Sequence, residues 1–150
     1  MAGPLSSDLL VTPGFATHDA AGLDLRVKHR LLRGGRDEVH DLAIVAGREN
    51  LAQALLLRLL TPRGSLATLG HADYGSRLHE LIGRGKTGEL RALAKAFVLE
   101  AVAQERRVEP KLVDFRFEPE QEQIDSFAFT LSVRPVASGE VVSLGLEVAL

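Results

Sequence analysis

The chain has 150 residues, 18 of them basic and 20 acidic, and it holds no Cys. That length accommodates one hydrophobic core and little more, and the lack of Cys excludes disulfides, thiolate metal sites and cysteine nucleophiles together. Charges of both signs are interspersed, with no run long enough to form a nucleic-acid arm, and aromatics at 5% are too sparse for a base-stacking platform.

Residues Met1 to Gly22 are rich in Gly, Ala, Ser, Thr and Pro without a sustained period, and they read as an extended or flexible arm before a single domain over 23–150. Met1 to Leu10 lacks a basic start followed by an apolar stretch, so no secretory leader is expected there. From Leu23, apolar residues alternate as Leu23, Leu25 and Val27 against Asp24, Arg26 and Lys28, the period of a half-buried strand. Gly34-Gly35 supplies a turn, and Val39 to Val45 reads as the returning strand of a β-hairpin.

The period changes after Gly47. Leu51, Ala54, Leu55 and Leu59 recur at helical spacing, while Leu56, Leu57 and Leu60 fill other faces, so the helix is expected to be deeply buried or covered in part by a partner. The leucine run Leu55–Leu57 is far too short to span a bilayer. Thr61-Pro62-Arg63-Gly64 stops the helix, since Pro donates no hydrogen bond and Gly accepts a left-handed turn. Tyr74 to Ile82 predicts a short helix presenting Leu78, Leu81 and Ile82, broken by the Gly-rich stretch 83–88. Leu90, Leu93, Ala94, Phe97, Val98, Ala101 and Val102 then predict a long amphipathic helix, with Thr87 as its N-cap and Glu89 in its first turn. After Pro110 three alternating runs follow: Val113, Phe115, Phe117; Phe127, Phe129, Leu131, Val133; and Leu144, Leu146, Val148, Leu150. Short polar turns between them predict an antiparallel meander. The expected fold is α+β: an N-terminal β-hairpin, two longer helices with a short one between, and a C-terminal β-meander.

The chemistry of a catalytic or cofactor site does not assemble in this pattern. Gly85-Lys86-Thr87 resembles the end of a phosphate-binding loop, but the position that loop reserves for its first Gly is Glu80, and a helical segment precedes it instead of a strand. It reads better as a linker ending in an N-cap. His18, His29, His40, His71 and His79 show no metal-ligand spacing, and His71-x-Asp73 lacks a third ligand. Gly75-Ser76-Arg77 lacks the flanking Gly of a nucleophile elbow. Glu80, Glu100 and Glu105 are carboxylates on helical segments, where surface charge is the usual role, and sequence does not show two of them facing across a cleft. No catalytic residue, metal or cofactor is therefore expected. Association remains. The stretch Val141 to Leu150 is strongly β-prone, without Lys, Arg or Pro, and its one charge is Glu147. At a sheet edge it would have few of the devices that prevent edge pairing, so it is either covered within the fold or open to strand addition.

Three stretches resemble one protein family: Asn50-Leu51-x-Gln53-Ala54-Leu55, the stop Thr61-Pro62-Arg63-Gly64, and Asp73-Tyr74-Gly75-Ser76-Arg77-Leu78. Across about Leu42 to Val108 the chain is similar to the baseplate wedge and sheath-initiator family of contractile tails, whose founding member is the phage T4 gene 25 product. Relatives occur in R-type tailocins, extracellular contractile injection systems and the type VI secretion baseplate. The family carries Glu-Pro-Arg after its long helix; the matching residues here are Glu105-Arg106-Arg107, with Arg106 in place of the Pro. The resemblance implies a structural, non-enzymatic protein, made and assembled in the cytoplasm as part of a phage-tail-like particle or virion. It implies that Glu105 and Arg107 dock on the helical bundle of the baseplate wedge proteins, whereas the residues alone read better as a solvated helix end. It implies that the last strand, with Leu144, Leu146, Val148 and Leu150, pairs with sheath protein to start the sheath. Several copies in a ring are implied, with tube or hub proteins as further candidate partners and no nucleic acid or membrane. Some members of the family have carried a lysozyme label, so a baseplate-associated peptidoglycan hydrolase is the alternative.

Overall fold

The computed structural model describes residues 7–9, 11–13, 23–25, 27–31, 38–42, 44–137 and 139–150. Among these, short strands come first: β1 (Asp8–Leu9), β2 (Val11–Pro13), β3 (Leu23–Leu25), β4 (Val27–Leu31), β5 (Glu38–Leu42) and β6 (Ile44–Val45). They pair antiparallel, β1 with β6, β2 with β3, and β4 with β5. The expected hairpin is β4–β5, in a register that sets Val27 opposite Leu42 and Leu31 opposite Glu38; its Gly34-Gly35 turn lies outside the described residues. Of the expected arm, β1 and β2 are described, and most of the remainder up to Gly22 lies outside the described residues.

Helix α1 (Gly47–Leu60) and helix α2 (Gly88–Ala103) carry the centre of the molecule. The side chain of Thr87 caps α2 by accepting a hydrogen bond from the Leu90 N–H at 3.1 Å, satisfying a donor that the first turn leaves without a partner. Between the helices, the short helix expected at Tyr74 to Ile82 is a 3-10 turn over Leu78–Leu81. The strands β7 (Asp114–Phe117), β8 (Ser126–Val133) and β9 (Val142–Ala149) form the meander in the order β7-β8-β9. The fold is α+β.

One core joins these parts. Leu51, Leu55 and Leu59 of α1, with Ala94, Phe97, Val98 and Ala101 of α2, pack with Phe115, Phe127, Phe129, Leu131 and Leu146 of the sheet. Removing a ring such as that of Phe127, which is fully buried, would cost about 3–5 kcal/mol. The apolar surplus of α1 resolves in the same way: Leu56 is buried and Leu57 half-buried, so only Leu60, at 48% exposure, stands out into solvent. α1 packs against both β9 and α2.

The segment after α1 is locked by a close backbone crossing. The Ser76 N–H donates to the Thr61 carbonyl at 2.8 Å, and the Arg63 N–H donates to the Ser76 carbonyl at 2.8 Å. The Ser76 hydroxyl donates to the Leu59 carbonyl at 2.6 Å, so the last turn of α1 is terminated by side chain and backbone together. Gly75 has φ 109°, and a Cβ there would lie 2.4 Å from the Thr61 carbonyl oxygen. Only Gly allows both the conformation and the approach.

Candidate docking site

Two features of this framework present recognition chemistry, a charged corner after α2 and the outer edge of β9. The corner begins where α2 ends. The Val108 N–H donates to the Glu105 carbonyl at 3.1 Å, closing a turn with Arg106 at its first central position. Beyond it the chain runs beside the end of β8: Val108 bridges Pro135, the Glu109 N–H donates to the Arg134 carbonyl at 2.9 Å, and the Val136 N–H donates to the Arg107 carbonyl at 2.9 Å. The first central position is one that Pro favours in such turns. The flanking ladder and the Glu105 side chain hold this turn with Arg106, which is exposed.

Glu105 and Arg107 are brought together. Arg107 donates to both carboxylate oxygens of Glu105, from Nε at 2.8 Å and from Nη2 at 3.2 Å, and the Arg107 backbone N–H adds a third bond at 3.3 Å. Two residues that the sequence pattern does not place beside Glu105, namely Arg58 and Tyr74, complete the corner. Arg58, in the last turn of α1, brings Nη2 to 3.8 Å from Glu105 and donates from Nη1 to Gln104 at 3.2 Å. Its guanidinium lies 4.5 Å from the centre of the Tyr74 ring, a cation–π arrangement. The Glu105 side chain is only 10% exposed and Arg58 14%, whereas Arg107 is 28% exposed and faces outward. Burial alone would push the Glu105 carboxyl up, but the bonds from Arg107 and the charges of Arg107 and Arg58 hold it below its ordinary value. Burial pushes the Tyr74 phenol up. Arg58 Nε is buried and has no hydrogen-bond acceptor among the described residues. The signals that point to these partners are a cation set among the leucines of 55–60 and the single Tyr of the chain.

At the other feature, the side chains of Leu144, Leu146, Val148 and Leu150 turn toward the core. Leu146 is buried, and the other three are half-buried against the same cluster. The Leu150 N–H donates to the Asp125 carbonyl, and antiparallel pairing alternates, so the backbones of Leu144, Leu146 and Val148 also face β8. The Glu118 N–H donating to the Ala128 carbonyl gives the same alternation on the opposite side of β8. The backbone groups of Ser143, Gly145, Glu147 and Ala149 therefore point outward, where no described strand lies. Glu147, the one charge on this strand, turns its carboxylate back toward β8, where it accepts a hydrogen bond from the Ser126 hydroxyl.

Among the described residues no three His, Asp or Glu side chains converge as a metal-binding group, and no helix is long and apolar enough to cross a membrane. Three shallow concavities of about 290, 420 and 310 Å³ are each lined by one carboxylate, Glu89, Asp114 and Glu147 respectively. Glu80 and Glu100 pair with Arg77 and Arg63, and the Arg77 bonds hold Glu80 below its ordinary value.

No family model matches the chain, and no curated protein matches it. A crystal structure of a Geobacter sulfurreducens protein, provisionally named a tail lysozyme, is similar in fold: the TM-score is 0.58 at 20% identity, over 68% of this chain and 89% of that one. At that identity the likeness establishes a shared fold.

Proposed function

We propose that this chain is a structural baseplate component of a contractile, phage-tail-like machine. It docks on the helical bundle of the wedge proteins through the Glu105–Arg107 corner and starts the sheath at the outer edge of β9. The observation that carries this reading is that edge: an eight-residue strand with outward backbone groups, no Lys or Pro, and its one carboxylate bonded back to β8. The sequence resemblance over about Leu42 to Val108 and the fold shared with a protein named a tail lysozyme support it. Backbone pairing suits a part that joins many copies in register.

Because Leu144, Leu146 and Val148 fill the core, removing the strand would unfold the domain, so the edge is better tested at one outward position. Gly145→Pro removes a backbone N–H that β8 does not use, and Pro is tolerated at such an edge. In cells making the whole machine, electron microscopy should then show assembled baseplates without sheaths. Extended sheaths of normal length would overturn the sheath reading.

The name of the fold neighbour favours a second reading, peptidoglycan hydrolysis. Neither candidate feature presents a pair of carboxylates across a cleft, and the buried Glu105 is held ionised, the wrong state for a general acid. Clearing of a peptidoglycan suspension by the purified chain would establish the hydrolase instead.

A further inference from the structure

We infer that the outer edge of β9 is self-complementary, so that two copies of this chain pair β9 to β9 about a two-fold axis when no other strand occupies the edge. The inference does not rest on the baseplate reading. It rests on register. The outward residues Ser143, Gly145, Glu147 and Ala149 can all pair at once in an antiparallel arrangement centred on Leu146. Ser143 then lies opposite Ala149 of the second copy and Gly145 opposite Glu147 of the second copy, so every outward N–H and carbonyl meets a partner.

The side chains agree with that register on both faces. Toward the core, Leu144 falls opposite Val148 of the second copy, and Leu146 falls opposite its own counterpart. Leu144 and Val148 are half-buried at the rim of the core, and the pairing would cover them. On the outer face, each Glu147 meets a Gly, so like charges are not opposed and no bulk obstructs the approach. The opposite edge of the sheet lacks this fit. β7 is four residues long and carries Asp114 and Arg116, both exposed, a charged rim of the kind that discourages edge pairing.

The test uses the full chain and reads its mass in solution by sedimentation, at micromolar to sub-millimolar concentrations. The native protein should dimerise. Ser143→Lys with Ala149→Lys sets Lys against Lys twice across the axis, and should weaken the dimer at least about tenfold. Ser143→Lys with Ala149→Glu sets opposite charges in the same places and should restore it. Both positions are exposed, and a cooperative melt of each variant confirms folding. A native chain that stays monomeric throughout overturns the inference. So does a dimer indifferent to the paired lysines, or a Lys/Glu variant as weak as the Lys/Lys variant.

Discussion

Two corners of the molecule are built from the same parts and finished differently. Each sets a buried Glu in a turn, pairs it with two cations, and lays a helical Arg on an aromatic ring. In one, Glu122 is 3% exposed and is bonded by Arg91 from α2, at 2.8 Å through Nη2, and by Lys86 at 2.9 Å. Arg91 lies 4.7 and 4.6 Å from the Phe117 and Phe127 rings, and the two contacts hold the Glu122 carboxyl down to about 2. In the other, Glu105 is fully bonded by Arg107, but Arg58 stops 3.8 Å short and keeps a buried Nε without an acceptor. The first cluster is closed and clamps the 119–125 connection to the start of α2. The second is left open: Arg58 Nε is buried without an acceptor among the described residues, and the Arg107 side chain is part-exposed.

The open corner can be broken from below. Gly75 seats Tyr74 under Arg58, and a Cβ there collides with the Thr61 carbonyl in a backbone conformation that other residues rarely adopt. Gly75→Ala should cost about 3 kcal/mol in urea unfolding, the largest effect expected at either corner, through strain and forced displacement. The chain has one Tyr and no Trp, so tyrosine fluorescence reports this corner alone. The phenol, raised by burial in the native chain, should titrate closer to its ordinary value of about 10 in the variant. An unchanged midpoint and an unchanged phenol would show that the crossing does not seat the ring.

The difference between the clusters is sharpened by removing each carboxylate charge in turn. Glu122→Gln should destabilise by about 1–2 kcal/mol at pH 7, and Glu105→Gln by less than about 1. The figures stay modest because Lys86 and Arg91 are 27% and 29% exposed, and water screens them. The pH dependence has a definite sign. A carboxyl depressed to about 2 in the fold and titrating near about 4.3 unfolded adds its full stability above the unfolded value. That stability is lost as pH falls toward 2. The gap between native and Glu122→Gln in urea unfolding should hold from pH 7 to 5 and close by pH 2. A gap that persists at pH 2 would mean that Glu122 contributes by packing and not by charge.

The closed cluster and the open one were unequally legible in the sequence, as were the elements around them. α2 was readable because a single stripe from Leu90 to Val102 decides its face, and Thr87 marks its start. The meander was readable because its apolar period of two persists through three runs. Period alone told that Leu144, Leu146 and Val148 share a face of β9, while their neighbours own the free edge; it did not tell which set a partner would meet, since that depends on which side β8 lies. The convergence of Arg58, Tyr74 and Glu105 was illegible because those residues belong to three elements and share no local spacing. What joins them is a backbone crossing at Gly75, and a sequence carries no period for that.

The smallest effect separates backbone from chemistry at the open corner. Arg106 occupies the first central position of the turn closed by Val108 on Glu105, its side chain is exposed, and its own N–H enters no backbone hydrogen bond among the described residues. Glu105 lies outside α2, so a following Pro would not interrupt the helix. Arg106→Pro should therefore stabilise the chain by about 0.5 kcal/mol, by narrowing the unfolded ensemble while the Glu105–Arg107 pair stays in place. Thermal unfolding with tyrosine fluorescence measures both quantities together. A raised midpoint with native fluorescence means that the turn is already the one Pro favours, and that Arg106 contributes an exposed charge at no cost to the backbone. A lowered midpoint would mean that Arg106 holds a different turn, and that Glu105 and Arg107 are presented in a geometry that Glu-Pro-Arg does not share.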